Sequence, residues 1–447
     1  MQRRLCFCML AVLLALPLLL HAQGRLRVVM ISIDGLMPSS YTQPGPSKIP
    51  TLRRLAREGA YAEGVVGVLP SVTYPSHTSL ITGVLPAVHG IVDNHVLDPE
   101  GLSHGAWYWF AREIRTVTLL GAARAWGLRT AAVVWPVTVG AQVDLLVPEY
   151  DRTEHVENLS LLRALSTPQL LDAVEISRKS PLAWPFKDSE PTDIASFVIR
   201  TYQPHLTLVH LVDLDSAQHE HGPGSPEALE TLERVDGYVA NLVRAVDEAG
   251  IGGETIVAVV SDHGFMATRQ QLQPNARFKQ KGYFDVGEDG AISEWRAYFL
   301  SSGGSGYVYV KDPANVTLKA DVRATLEALK ADPANGIDTI WDADDLKRAG
   351  AHPEASFGID MRDGFTTGGA FDILLKTAGS RGGHGFAPSR PALHASLILS
   401  GPPAKGVGSL GVVRMTQIAP TLARWLGVQL SPQADQPLAV PAAGGRP

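Results

Sequence analysis

The sequence predicts an α/β protein: a doubly wound, mostly parallel central sheet with helices on both faces. Two observations lead there. Several β-branched, nearly continuous apolar runs end in Gly, Asp or Pro, as strands covered on both faces do. Helical patterns lie between them, and that alternation is the signature of a doubly wound domain.

The strand-like runs cover 27–33, 130–135, 206–212, 255–260 and 395–400. A helix is expected over 50–58, with Pro50 near its start and Gly59 after its end. Others are expected over 225–249 and 417–426. Two stretches break the alternation. Residues 151–190, with Trp184, Pro185 and Phe186, read as loop-rich. Residues 267–380 are mixed, with a Gly/Ser turn at 301–306, a short strand at 307–310 and a helix near 318–329. They read as a smaller α+β subdomain inserted into a domain spanning 23–428. The segment 429–447 is rich in Pro, Ala and Gly and is expected to be a disordered tail.

Composition bounds the function. Of 447 residues, 45% are hydrophobic and 19% charged, too apolar a balance for intrinsic disorder. The net charge of −6 argues against a broad basic surface for nucleic acid. Arg3 and Arg4 precede an apolar run, 5–20, followed by Leu20-His21-Ala22. Residues 1–22 therefore read as a secretory signal peptide, with an uncleaved anchor as the alternative. Without them, 37 basic residues (39 less two) face 45 acidic ones, a net of −8. Both cysteines, Cys6 and Cys8, fall inside this leader. The exported chain, periplasmic or extracellular, would have no disulfide and no thiolate metal ligand. No stable membrane anchor and no nucleic-acid scaffold partner are expected.

In open α/β sheets chemistry gathers at the carboxyl ends of the strands. Asp34 ends the first expected strand, though an Asp before Gly35 also suits a turn. Asp215 follows the third, with His219 one helical turn later; Asp213 and His221 compete with them. Asp262 and His263 end the fourth. His384 lies in the Gly-rich loop 381–385, which suggests close approach of backbone to something bound, or a flexible loop. Three Asp and three His form a nitrogen and oxygen set that suits zinc better than magnesium or calcium. Six ligands exceed one tetrahedral site and match two metal ions flanking an in-line displacement. The stretch 69–83 reads as a loop entering a helix, with Thr73 near its N-terminus and Pro75 in the first turn. That position favours an alkoxide and a phosphate oxygen, while a plain capping role for Ser71 or Thr73 is the alternative.

Six motifs in order make the chain resemble the nucleotide pyrophosphatase/phosphodiesterase family of the alkaline phosphatase superfamily. They are Asp34-Gly35, Thr73-Tyr-Pro-Ser-His77, His89-Gly-Ile-Val-Asp-Asn94, Asp215-Ser-Ala-Gln-His-Glu-His-Gly-Pro223, Ser261-Asp-His-Gly264 and Gly382-Gly-His-Gly385. The resemblance implies an alkaline phosphatase-like fold and two Zn2+ per chain. It implies that Asp34, Thr73, Asp262 and His263 hold one zinc, and Asp215, His219 and His384 the other. It also implies that Thr73 is the nucleophile of a phospho-threonine pathway and Asn94 a donor to a phosphate oxygen. Tyr74 matches an aromatic on which a nucleobase stacks. His77, His89, His95 and His221 match no ligand and read as structural. The segment 135–150, which in relatives lines the base or leaving-group pocket, is too divergent to assign.

Two neighbouring families differ at defined places. A sulfatase needs an oxidisable Cys or Ser followed by Pro at +2 and Arg at +4; here Thr73, Pro75 and His77 stand there. An alkaline phosphatase has an Arg close after its nucleophile, and none lies near Thr73. The expectation is an exported phosphodiesterase or nucleotide pyrophosphatase acting on a small phosphodiester. A phosphomonoesterase, a phospholipid-type diesterase and a non-catalytic binding protein on the same scaffold are the alternatives.

Overall fold

The computed structural model describes residues 26–103, 107–150 and 155–440. The leader expected at 1–22 and the last seven residues of the expected tail lie outside them.

Eight strands form the central sheet: β1 (Arg27–Ile33), β2 (Ala60–Tyr61), β3 (Thr130–Trp135), β4 (Leu145–Pro148), β5 (Leu206–Leu211), β6 (Thr255–Val260), β7 (Leu397–Ser400) and β8 (Gly408–Ser409). They lie in the order β8-β2-β7-β6-β1-β5-β3-β4. The five strands from β6 to β4 are mutually parallel. β7 runs antiparallel to β6 and to β2. It enters the sheet from a loop at the carboxyl ends of its neighbours, so it must run the other way. Every residue of β3, β5 and β6 is buried, which is why these runs read as unbroken apolar stretches. Val29, Ile31 and Ile33 of β1 face one core and Val28 and Met30 the other, the period-two alternation of a strand.

Six helices matter for the site: α1 (Pro50–Glu58), α2 (Thr73–Thr82), α3 (Ser189–Tyr202), α4 (Asp213–His221), α5 (Pro226–Glu248) and α6 (Ile418–Leu426). α5 buries Ala228, Leu232, Val235, Val239, Leu242 and Val246, a stripe spaced by three and four that packs on α3 and α1. Ser225 caps its start by accepting from the Ala228 N–H. α6 packs on α2 at the opposite face of the sheet. Among the described residues, no helix is long and apolar enough to cross a membrane.

The stretch 267–380 contains its own four-stranded antiparallel sheet, 297–301, 305–310, 357–361 and 337–342, covered by a helix over 316–331. Phe299, Val308, Leu326 and Ile359 form its core.

Two expectations are corrected. Of the stretch 151–190, the described residues 155–190 are not loop-rich: helices span Val156–Leu165 and Leu170–Arg178, and α3 begins at Ser189. Leu162, Leu170, Leu171 and Val174 fix them by entering the core. The tail is not disordered over 429–440. Leu438 and Val440 are buried, the Leu438 N–H donates to Thr421 Oγ1 at 2.8 Å, and Asp435 pairs with Arg414 at 2.9 Å. Two apolar side chains among the prolines and alanines were enough to anchor it.

Candidate metal centre and active site

The register of the central strands explains why distant carboxylates meet. Ser32 of β1 lies level with His210 of β5 and Val260 of β6. Asp34, Asp215 and the Asp262-His263 pair therefore leave the sheet at one edge. α4 starts directly after β5 and puts Asp215 and His219 on one face, with His219 Nε2 3.4 Å from Asp215 Oδ1. After His263 the chain runs into a strand, Met266–Leu272, to which Gly382 and Gly383 pair at Ala267 and Met266. That pairing delivers His384 onto His263, with ring centroids 3.6 Å apart and planes within 10°.

Two clusters result. Asp215, His219 and His384 form one; Asp34, Asp215 and His263 form the other, and in each the ligand atoms lie within 4.8 Å of one another. Asp262 joins the second, with Oδ2 3.1 Å from His263 Nε2, while Asp34 Oδ1 is 3.3 Å from the same nitrogen. Asp215 stands between the two.

The three imidazoles share a tautomer. Nδ1–H of His219 donates to the Gly382 carbonyl at 2.9 Å, that of His384 to Ser71 at 3.2 Å and that of His263 to Gly264 at 3.3 Å. Each Nε2 is thereby turned into the clusters, those of His219 and His384 lying 3.1 Å apart, the arrangement that orients histidine metal ligands. Asp34 Oδ1, Asp262 Oδ2 and His263 Nε2 are buried and make no hydrogen bond. Burial and the charges of Asp262 and Asp215 push the Asp34 carboxyl well above its usual range. Burial likewise pushes His263 and His384 well below theirs, so both are neutral. Crowded, dehydrated carboxylates beside neutral imidazole lone pairs are costly alone and fit divalent cations. The mixed nitrogen and oxygen donors fit zinc.

The chain matches the family described as type I phosphodiesterase / nucleotide pyrophosphatase over residues 28–353. It belongs to that family. It is 26% identical over 246 residues to ectonucleotide pyrophosphatase/phosphodiesterase family member 1 of Homo sapiens, a match covering 53% of this chain and 23% of that protein. An uncharacterized pyrophosphatase/phosphodiesterase of Schizosaccharomyces pombe is 26% identical over 256 residues, covering 54% and 45%. The chain thus spans less than half the length of these curated relatives. Its fold is similar to that of human ectonucleotide pyrophosphatase / phosphodiesterase 5, with a TM-score of 0.64 and 18% identity over 91% of this chain and 96% of that one. The murine form of that structure scores 0.63 at 17% identity, over the same shares of the two chains.

In this phosphodiesterase-family chain, Thr73 is the first residue of α2, half-buried, and its carbonyl accepts from His77 Nδ1–H at 2.8 Å. The next residue's N–H, that of Tyr74, donates to Asn94 Oδ1 at 2.8 Å, which fixes the Asn94 amide beside the helix N-terminus. Asn94 is held in turn by Asp93, whose Oδ1 accepts from the Asn94 N–H at 2.7 Å and the His95 N–H at 3.4 Å, and whose Oδ2 accepts from Ser302 Oγ. Burial pushes the Asp93 carboxyl up to about 6. A cleft of about 300 Å³ opens over Asn94, His219 and His384.

Several positions differ from expectation. Tyr74 is only 1% exposed, its ring covered by Trp107 at 5.1 Å and Trp109 at 5.9 Å, so it has no open face for a base. The glycines around His384 approach the protein itself rather than a ligand. A Cβ on Gly382 would collide with the Gln218 carbonyl, and one on Gly385, at φ +88°, with that of Ser302. Asp213 and His221 do not join the clusters: they line a separate cavity with Glu230 and Arg234. His77 is buried and neutral, pushed down to about 3 by burial first and then by His210.

Sequence reasoning missed His210. Its Nε2 lies 3.1 Å from Asp34 Oδ2, and its Nδ1 donates to the Val134 carbonyl at 3.3 Å. Burial pushes this group down, but Asp34 and Glu149 outweigh it and hold it up at about 10. It is therefore an internal cation holding Asp34. Val134, a β-branched residue at φ +54°, carries backbone strain at this contact. The only signal for His210 was one titratable side chain in a run otherwise made of apolar residues and a threonine.

Proposed function

We propose that this chain is an exported two-zinc hydrolase that cleaves phosphodiester or phosphoanhydride bonds of nucleotides through a phospho-threonine on Thr73. The observation that carries the reading is the pair of Nε2 and carboxylate clusters that share Asp215, with His384 hydrogen-bonded to the Ser71 carbonyl two residues before α2. Asp34, Thr73, Asp262 and His263 would hold one cation and Asp215, His219 and His384 the other. Two bound divalent cations supply stabilisation of the attacking and departing oxygens of an in-line displacement.

The chain's own residues do the rest. Thr73 Oγ1 attacks phosphorus: the Oγ1–P bond forms as the bond to the leaving group breaks, and an alcohol or phosphate departs. Water then attacks the same phosphorus and restores the Thr73 hydroxyl, so one diester and one water yield one monoester and one leaving group. The N-terminus of α2 favours the anionic phosphoryl group. Asn94, whose Oδ1 is occupied by the Tyr74 N–H, has its Nδ2–H donors left for a non-bridging oxygen. His210 and the three backbone carbonyls behind the imidazoles keep the ligand geometry fixed.

Export rests on the leader read over 1–22. The test of the mechanism is Thr73→Ala. It should keep the fold and close to two equivalents of zinc per chain by elemental analysis, while kcat on a nitrophenyl nucleotide diester falls by roughly a thousandfold or more, as for loss of a nucleophile. Chelation should abolish turnover in the parent and zinc restore it. Retained turnover in Thr73→Ala overturns the assignment. A faster rate on a nitrophenyl monoester than on the diester would favour the phosphomonoesterase reading.

A further inference from the structure

The cleft over His219 and His384 has a chemistry of its own. Asp34, Asp262 and His263 lie buried beneath it and do not line it, whereas His219 and His384 do. On the functional reading above, on which this inference rests, displacement at phosphorus is in line, so the departing group moves away from Thr73 and toward the cluster that faces this cleft.

The walls are neutral. Gln271, Ser301, Ser302, Thr366, Thr367 and Ser380 line the cleft, and among its described lining residues there is no lysine or arginine. The hydroxyls are also committed in one direction. Ser302 donates to Asp93, Thr366 to the Gln270 carbonyl, Ser380 to the Gly382 carbonyl, and Thr367 shares its one hydrogen between the Gly303 and Ser305 carbonyls, which leaves Ser301 to donate to Thr367 Oγ1. Each hydroxyl has a single hydrogen, so what remains on these groups are lone pairs. The one carboxylate in the wall, Asp93, is 1% exposed and has both oxygens occupied.

Apart from Asn94, whose Nδ2–H donors serve the transferred phosphoryl group, the wall offers mainly acceptors; it disfavours a phosphate as leaving group, whose oxygens at neutral pH are chiefly acceptors, and matches a group that brings its own O–H donors. We infer that this cleft receives the leaving group, and that its preferred leaving group is an uncharged polyol the size of glycerol or a single sugar, not pyrophosphate. The volume of about 300 Å³ suits that size.

The test uses the zinc-loaded enzyme and esters sharing an adenylyl half: the glyceryl and propyl esters of AMP, the aminoethyl ester and ATP, with a nitrophenyl ester of a nucleotide as control. The glyceryl ester should exceed the propyl ester in kcat/KM by about tenfold, the effect of two matched hydroxyls. Ser380→Ala should cut that ratio about threefold. Gln271→Arg should raise kcat/KM for ATP and lower the ratio of glyceryl ester to ATP. Equal rates on the glyceryl and propyl esters, with the nitrophenyl ester still turned over, overturn this inference and leave the hydrolase reading standing. A faster aminoethyl ester replaces the polyol by an ammonium-bearing leaving group and overturns it too. No turnover of the nitrophenyl ester overturns both.

Discussion

At the scale of single residues, His210 shows how a site is held from beneath. Its imidazolium occupies Asp34 Oδ2 and leaves Oδ1 facing His263. Removing it would leave that carboxylate free to turn. His210→Gln should fold but bind zinc about 10- to 100-fold more weakly, the usual cost of losing a partner behind a metal ligand. A competition titration against a chromophoric chelator measures this; unchanged affinity would mean that Asp34 is positioned without it. Asp34, Asp215, Asp262 and His263 were legible in the sequence because each follows a strand of the central sheet, His219 because it stands one helical turn after Asp215, and His384 only through its Gly-rich motif. His210 was not, because nothing about Leu206-Thr-Leu-Val-His-Leu211 tells which buried polar residue lies level with Ser32. That depends on strand order, which only pairing reveals. Tyr74 failed for a related reason: its neighbour in sequence is Thr73, but its neighbours in space are Trp107 and Trp109, more than thirty positions on.

At the scale of elements, α2 is anchored at its far end by a neutral histidine. The Ile91 N–H donates to His89 Nδ1 at 3.1 Å, and His89 Nε2–H meets Ser79 Oγ at 3.0 Å. Burial pushes His89 down to about 3. A depressed pKa means that the folded chain refuses a proton the unfolded chain accepts. The stabilisation is therefore complete above the unfolded value, about 6.5, and is lost as pH falls from there toward 3. One such group changes unfolding free energy by up to about 1.4 kcal/mol per pH unit. His89→Gln should flatten the dependence by that slope when urea unfolding is followed between pH 6.5 and 4.5. Parallel curves for parent and variant would show that His89 is charged or mobile in the fold. The helix itself was readable from its Pro75 and Gly83; the histidine's role depended on a turn, 86–89, that folds back on it.

At the scale of the whole molecule, the sheet was legible as alternation, since strands buried on both faces must be apolar throughout. The antiparallel entry of β7 and the ordered chain over 429–440 were not. Composition hid the latter, because the anchoring comes from two side chains and one ion pair. Deleting residues 429–447 should cost about 3 kcal/mol, the burial of Leu438 and Val440 alone being worth roughly 1.5 kcal/mol or more each. A lower thermal midpoint with catalytic parameters unchanged is the expected result. An unaltered midpoint would show that the segment contributes nothing to stability.

The stacking of His263 on His384 has one more consequence. These rings arrive from positions 121 residues apart, and the second is delivered by a strand pairing that needs everything between them already in place. A chain stopped short of residue 384, by stalled synthesis or by a protease, keeps Thr73 and all three acids of the clusters but lacks the nitrogen that completes the set of Asp215 and His219. On the proposed function, such a chain would lack a full ligand set for the cation nearest the departing group.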